Sequence, residues 1–199
     1  WTNKEVIITV NKSTDHNKVY YEVGGGLWIE YVNPFKVGLQ GTTVKVKALD
    51  VAENESEIKT LTIKNIDQIP PKSPEINIPS KMSWGDIHFK IDDGEDLGGS
   101  GVRKTEYRFA GSKQSEWIEG NEGVVENHGI TAVIARTLDV AGNISEESLE
   151  EVIVDKVPPT ETIIDINPGE WTKNKVVVTL NKGNALTPTK SYYRVDPTI

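Results

Sequence analysis

The chain has 199 residues, a formal charge of −8 and no cysteine. Its acidity, with no Lys/Arg cluster set among aromatics, excludes a phosphate-binding surface and with it a nucleic-acid partner. The lack of cysteine excludes disulfides, thiolate metal sites and a thiol nucleophile, and no apolar run approaches the roughly 20 residues of a membrane span.

Taken in order, the chain reads as strand after strand. Apolar or alternating runs predict strands at 5–10, 18–23, 27–31, 43–49 and 57–63, with Thr43-Val-Lys-Val-Lys-Ala-Leu49 alternating cleanly. Pro70-Pro71 interrupts, and strands resume at 75–78, 86–91, 103–109, 116–119, 131–138 and 149–154. After Pro158-Pro159 come 161–166 and the strand that follows Trp171. No stretch carries a helical apolar stripe.

The order repeats. Trp1-Thr-Asn-Lys-Glu-Val-Ile-Ile-Thr-Val10 returns as Trp171-Thr-Lys-Asn-Lys-Val-Val-Val-Thr-Leu180, with Trp84 between them. Tyr21, Tyr107 and Tyr193 recur, as do Trp28 and Trp117, and Asp67-Gln-Ile-Pro-Pro71 recurs as Asp155-Lys-Val-Pro-Pro159. The hairpin segment Leu49-Asp-Val-Ala-Glu-Asn-Glu-Ser56 recurs as Leu138-Asp-Val-Ala-Gly-Asn-Ile-Ser145. Five landmarks in one order at nearly one period mark a structural repeat. Each full unit holds about seven short strands with turn signals between them, the pattern of an immunoglobulin-like β-sandwich. The fold class is therefore all-β: tandem immunoglobulin-like sandwiches of about seven strands each.

With Ser100-Gly101-Val102, Tyr107-Arg108, Trp117, Asp139 to Ser145 and Asp155 to Pro159 in this order, the chain resembles the bacterial immunoglobulin-like repeats found in tandem in secreted and wall-attached Gram-positive proteins. Residues 70–157 carry the resemblance best. Residues 1–69 depart from it where Glu53 replaces the glycine and Asn17-Lys18-Val19 replaces Ser-Gly-Val. The resemblance implies a non-catalytic module that spaces or presents something else.

Three domains are expected: 1–69, a repeat lacking its opening strand; 70–157, a complete repeat; and 158–199, a partial repeat that frays, packs on its neighbour or is completed by another molecule. The double-proline junctions are stiff and short, close to polyproline II. The chain opens within a repeat and is expected to be a piece of something longer.

In each hairpin turn, Asp50 or Asp139 is expected to accept backbone N–H bonds, with Asn54 or Asn143 tolerating a left-handed φ. Gly142 supplies positive φ, and Glu53 in its place is expected to keep an ordinary conformation. Asp67 and Asp155 stand before the double prolines, where turn hydrogen bonding outweighs a cation held between domains.

The metal candidate is the loop Asp92-Asp93-Gly94-Glu95-Asp96. Asp92, Asp93, Glu95 and Asp96 offer the oxygens that calcium takes, and no other cofactor is expected. Against calcium, the matching loops at 13–17 and 183–186 are poor in acids, and the spacing is not that of an EF-hand; a solvated acidic loop is the plainer reading.

The repeated Trp and Tyr residues are expected to pack the repeat's own core or junction. The unrepeated Tyr31 and Phe35, with Tyr20, are the candidates for surface contact. His16, His88 and His128 share no ligand spacing, no Gly-x-Ser-x-Gly elbow exists, and Gly98-Gly99-Ser100-Gly101 lacks the lysine and helix of a phosphate loop.

The expected function is a non-catalytic spacer or stalk in an extracellular, secreted or wall-attached bacterial protein. Its partners are neighbouring repeats, with host or cell-wall glycan or protein beyond them. The alternative is an adhesin, or a carbohydrate-binding accessory of a secreted wall-acting enzyme.

Overall fold

The computed structural model describes residues 1–11, 17–167 and 169–195. Among them are sixteen strands and no helix, so the chain is all-β. His16 and its loop lie outside the described residues.

The first group comprises β1 (Val6–Ile8), β2 (Lys18–Val23), β3 (Ile29–Glu30), β4 (Phe35–Val37), β5 (Thr43–Leu49) and β6 (Lys59–Thr62). They form a two-stranded sheet, β1-β4, and a four-stranded sheet in the order β3-β2-β5-β6. Val37, Val44, Ile63 and Ile66 are buried between them, with Val6, Ile8, Val23 and Phe35 packed against that cluster.

Strand alternation sends Tyr21 inward and Tyr20 outward. Tyr21 stacks on Phe35 at 3.9 Å between ring centroids. Tyr31 meets both rings edge-on at 6.3 Å, and only 6% of it is exposed. Tyr31 and Phe35 are thus inner aromatics, not surface contacts. The sequence hides this because neither recurs in the later units.

The second group holds β7 (Glu75–Asn77), β8 (Met82–Ser83), β9 (Ile87–Asp92), β10 (Val102–Gly111), β11 (Ile118–Glu119), β12 (Glu122–Val125), β13 (Gly129–Asp139) and β14 (Ser148–Val154). A three-stranded sheet, β12-β9-β7, faces a five-stranded one, β11-β10-β13-β14-β8. All pairs are antiparallel except β8 with β14. This is a two-sheet, immunoglobulin-like sandwich.

Alternation in β9 buries Ile87, Phe89 and Ile91 and exposes His88 and Lys90. Phe89, Tyr107 and Phe109 meet edge to face at 5.1–6.0 Å. Burying each such ring contributes about 1.5–3 kcal/mol. Strands β4, β8 and β12 were not expected. They are short, and β12 contains Gly123, where an added Cβ would overlap the Phe89 ring.

The last group is a hairpin of β15 (Ile163–Asn167) and β16 (Val177–Asn181). Every residue of β15 is exposed.

Of the repeated aromatics expected at the core or the junction, the tryptophans do not pack the core. Trp84 is 86% exposed, Trp171 is fully exposed and Trp1 is half exposed, while Tyr193 also faces outward. Trp117 lies on the outer face of its sheet under Arg136 at 3.9 Å and Arg108 at 5.1 Å, and Trp28 lies under Lys47 at 4.8 Å. For Trp28 and Trp117 the repetition reflects a repeated cation–aromatic face, not a repeated core.

Beside Trp117, the buried Glu106 accepts from Lys104 at 2.8 Å and from Arg136 Nε at 2.7 Å. Burial pushes the Glu106 carboxyl up, but these two cations more than offset it and hold it below the usual glutamate range.

Glu53 adopts φ 67°, in the left-handed region that Gly142 occupies at 94°. The expectation of an ordinary conformation fails because the turn's hydrogen bonds fix the backbone whichever residue stands there. A non-glycine left-handed residue costs about 1–2 kcal/mol, part of which glycine's unfolded-state entropy cancels. Glu53→Gly should therefore raise stability by about 0.5–1 kcal/mol in urea denaturation, whereas Gly142→Ala should lower it by about 1 kcal/mol.

Candidate functional site

The chemistry-bearing side chains gather at the two double-proline segments. Asp67 N–H donates to the Thr2 carbonyl at 2.9 Å, tying the end of the first group to its start. One oxygen of the Asp67 carboxylate, Oδ1, accepts from Ile69 N–H at 3.1 Å, closing a local turn. The other, Oδ2, reaches forward to accept from Ser100 N–H at 2.6 Å.

Asp155 repeats the arrangement. Its N–H donates to the Ser83 carbonyl at 2.8 Å. Oδ1 accepts from Val157 N–H at 3.4 Å, and Oδ2 accepts from Thr187 N–H at 3.1 Å and Thr187 Oγ1 at 2.6 Å. Each aspartate therefore caps its own turn with one oxygen and holds the next group with the other.

A second pair of contacts also repeats. Lys72 N–H donates to the Glu95 carbonyl at 2.9 Å, and Thr160 N–H donates to the Asn184 carbonyl at 3.0 Å. In the first case the neighbouring glycine is Gly94, where a Cβ would run into the Lys72 carbonyl; in the second it is Gly183, where a Cβ would run into the Thr160 carbonyl. Both glycines let the linker backbone lie directly against the loop.

The first junction carries more. In the turn after β13, Asp139 Oδ1 accepts from Gly142 and Asn143 N–H at 2.6 and 2.7 Å, while Asn143 Nδ2 donates to Asp139 Oδ2 at 2.7 Å. Asn143 Nδ2 also donates to the Asp67 carbonyl at 2.9 Å, so this hairpin turn rests on the linker. The matching turn in the first group keeps both asparagine bonds, but its other donor is Ala52, one place before the position that Gly142 fills. Asp50 Oδ1 accepts from Ala52 and Asn54 N–H at 2.8 and 2.9 Å, and Asn54 Nδ2 donates to Asp50 Oδ2 at 2.8 Å.

The acidic loop does not act as one unit. Asp92 accepts from Asn77 Nδ2 at 2.9 Å and Asp93 from Asn121 Nδ2 at 2.5 Å. Glu95 pairs with Lys72 of the linker at 2.8 Å, which holds its carboxyl below the usual range. Asp96 accepts from Gly101 N–H at 2.6 Å.

Asp96 turns instead toward Asp67 and Asp139, and one carboxylate oxygen from each of the three lies within 4.8 Å of the other two. Among the described residues this is the one group of three or more acid, His or Cys ligands so placed. Gly99 makes room for it, since a Cβ there would overlap Asp96 Oδ1 and Asp67 Oδ2. Such oxygens could hold a hard cation, yet backbone N–H groups already engage all three carboxylates. The sequence signals Asp67 and Asp139 as repeated residues, but it does not show that a linker, a loop and a turn meet at one point.

Burial pushes the Asp67 carboxyl up, but the Ser100 and Ile69 N–H bonds outweigh it and bring it below the usual aspartate range. For Asp155 the Thr187 bond dominates and lowers its carboxyl likewise. His128 Nδ1 accepts from Lys156 N–H at 3.2 Å and stands 3.7 Å from Asp155. Beside it, Trp84, Pro158 and Pro159 line a shallow depression.

No protein-family model and no curated protein sequence matches the chain. Among solved structures, fibronectin(III)-like modules of Clostridium thermocellum CbhA are similar over 77% of this chain and 86% of theirs, at 16% identity and a TM-score of 0.36. The chicken CNTN1 FN1–FN3 domains align over 90% and 71%, at 9% identity and a TM-score of 0.30. The central fibronectin-III array of RIM-binding protein aligns over 90% and 75%, at 11% identity and a TM-score of 0.26. At such distances the fold rests on the strand pairing itself.

Two outcomes follow from the junction geometry. Gly94→Ala should lower thermal stability by about 1–3 kcal/mol through overpacking, whereas Gly85→Ala, with no neighbour closer than 3.9 Å, should not. Because the folded Asp67 carboxyl sits below its unfolded value of about 3.9, its contribution is full above that pH and is lost as pH falls through the folded value. Asp67→Asn should cost about 1–3 kcal/mol at neutral pH and flatten part of the acid loss in denaturation curves taken across pH.

Proposed function

We propose that this chain is a run of immunoglobulin-like modules, 1–69, 70–157 and 158–199, acting as a semi-rigid spacer in an extracellular, secreted or wall-attached bacterial protein. The observation that supports it is the repeated junction: an aspartate before each double proline binds forward into the next group, and a glycine on that group receives the linker backbone. Contacts of this kind between neighbours restrict the angle between them and favour an array extended end to end. The role is mechanical, not catalytic.

A second reading, a carbohydrate-binding or adhesive module, draws on one observation. The indoles of Trp84 and Trp171 are exposed, as an aromatic platform for a sugar ring would be. Binding of the intact chain on a glycan array, lost in Trp84→Ala, would support that reading over the first.

Small-angle scattering tests the spacer directly. An elongated particle is expected, and Asp67→Asn should broaden its distribution of shapes; a compact particle would overturn the spacer reading.

A further inference from the structure

The outer face of the β12-β9-β7 sheet holds a trough of about 770 Å³. That volume falls within the roughly 300–1,000 Å³ of small-molecule sites. The hollow arises because β7 leaves the sheet after Asn77, whose partner on β9 is Lys90. Two residues on, Pro79 has no N–H with which to continue the ladder, and the chain crosses to β8 in the facing sheet. Strand β9 becomes a floor between Ile78 and Pro79 on one side and β12 on the other. Every residue of the trough belongs to the complete second group.

Two rows of side chains cross this floor. In the first, Asn77, Lys90 and Glu122 stand in register as amide, ammonium and carboxylate. In the second, His88 lies opposite Val124, with Pro79 on its other side. Strand alternation turns the side chains of Asn77, His88, Lys90, Glu122 and Val124 outward. Among the described residues, neither the Lys90 ammonium nor the Glu122 carboxylate has a hydrogen bond or an ion pair. Asn77 Nδ2 donates to Asp92 at 2.9 Å, which leaves Asn77 Oδ1 to accept from elsewhere.

This chemistry is particular to the second group. In the first, β1 and β4 form the corresponding pair, with Val6 opposite Val37 as Ile87 is opposite Val125. Ile7, Thr9 and Pro34 then take the places of His88, Lys90 and Glu122. Side chains that serve the repeat's own architecture recur with it. These do not.

We propose that the trough binds an apolar α-amino acid, either free or as a short peptide with free ends. The ligand carboxylate accepts from Lys90, its ammonium donates to Glu122 and Asn77 Oδ1, and its side chain lies on Pro79 and Val124. A cation and an anion on neighbouring strands match a zwitterion better than an ion of one sign. The apolar row beside them favours an apolar side chain. Direct pairing of two such exposed groups is weak, so Lys90 and Glu122 offer a ligand little competition. The site is independent of the Trp84 surface and of the spacer role.

Titration of the isotope-labelled full chain with L-leucine and with leucyl-leucine, followed by NMR, tests this. Saturable shifts confined to residues 77–79, 88–90 and 122–124 are expected with at least one of them, and the tighter binder identifies the source. Lys90→Met and Glu122→Gln should each weaken binding by about tenfold or more. Both side chains are exposed, so neither change should move the melting temperature. N-acetyl-leucinamide, which carries neither charge, should not bind. No saturable shift with either zwitterion, shifts centred elsewhere, binding unchanged in either variant, or equal binding of the capped amide would each overturn the proposal.

Discussion

The forward-reaching aspartate carboxylate is the interaction on which the rest of this architecture depends. A sandwich core holds its own strands together but says nothing about the next module. Asp67 couples the two: its backbone N–H belongs to the first group through Thr2, and its Oδ2 belongs to the second through Ser100. A carboxylate suits this place because each of its two oxygens can accept a separate backbone donor, which a neutral side chain does less strongly. Proline after it removes donors that the linker could not satisfy and limits the directions the chain can take. Glycine opposite the linker removes the Cβ that would hold the surfaces apart.

Much of the fold was legible because strands advertise themselves by period two. Expected ranges such as 18–23 and 43–49 coincide with β2 and β5, where inward and outward residues differ sharply in polarity. Short strands without alternation, such as β8 and β4, were not legible, since two or three residues carry no period. The candidate site was less readable. Four acids within five residues suggested one ion site, but β9 fixes Asp92 beside Asn77, the linker claims Glu95 through Lys72, and only Asp96 faces the junction. Proximity in sequence is a poor guide to proximity in space where a strand ends and a loop begins.

The aromatics show how a repeat can mislead. Recurrence at the structural period signals a recurring environment, and a buried core is only one such environment. Tyr21 and Tyr107 do turn inward. Trp28 and Trp117 recur because each sheet presents cations from its neighbouring strands to an indole on the outer face. Trp84 follows Ser83, whose carbonyl accepts from Asp155 N–H, and its exposed indole lies beside the second double proline.

The two junctions share a plan but differ in strength. At the first, Asp67 is buried, Asn143 adds a bond to the linker carbonyl, and Pro71 and Pro74 are buried too. At the second, Pro158 and Pro159 are exposed, and the contact rests on Thr187 with His128 alongside. Each charge-assisted bond contributes about 1.5–3 kcal/mol, whereas a folded domain stands about 5–15 kcal/mol above its unfolded state. Local opening follows the lowest available cost. The second junction, with the fewer contacts, therefore opens at lower cost than the first.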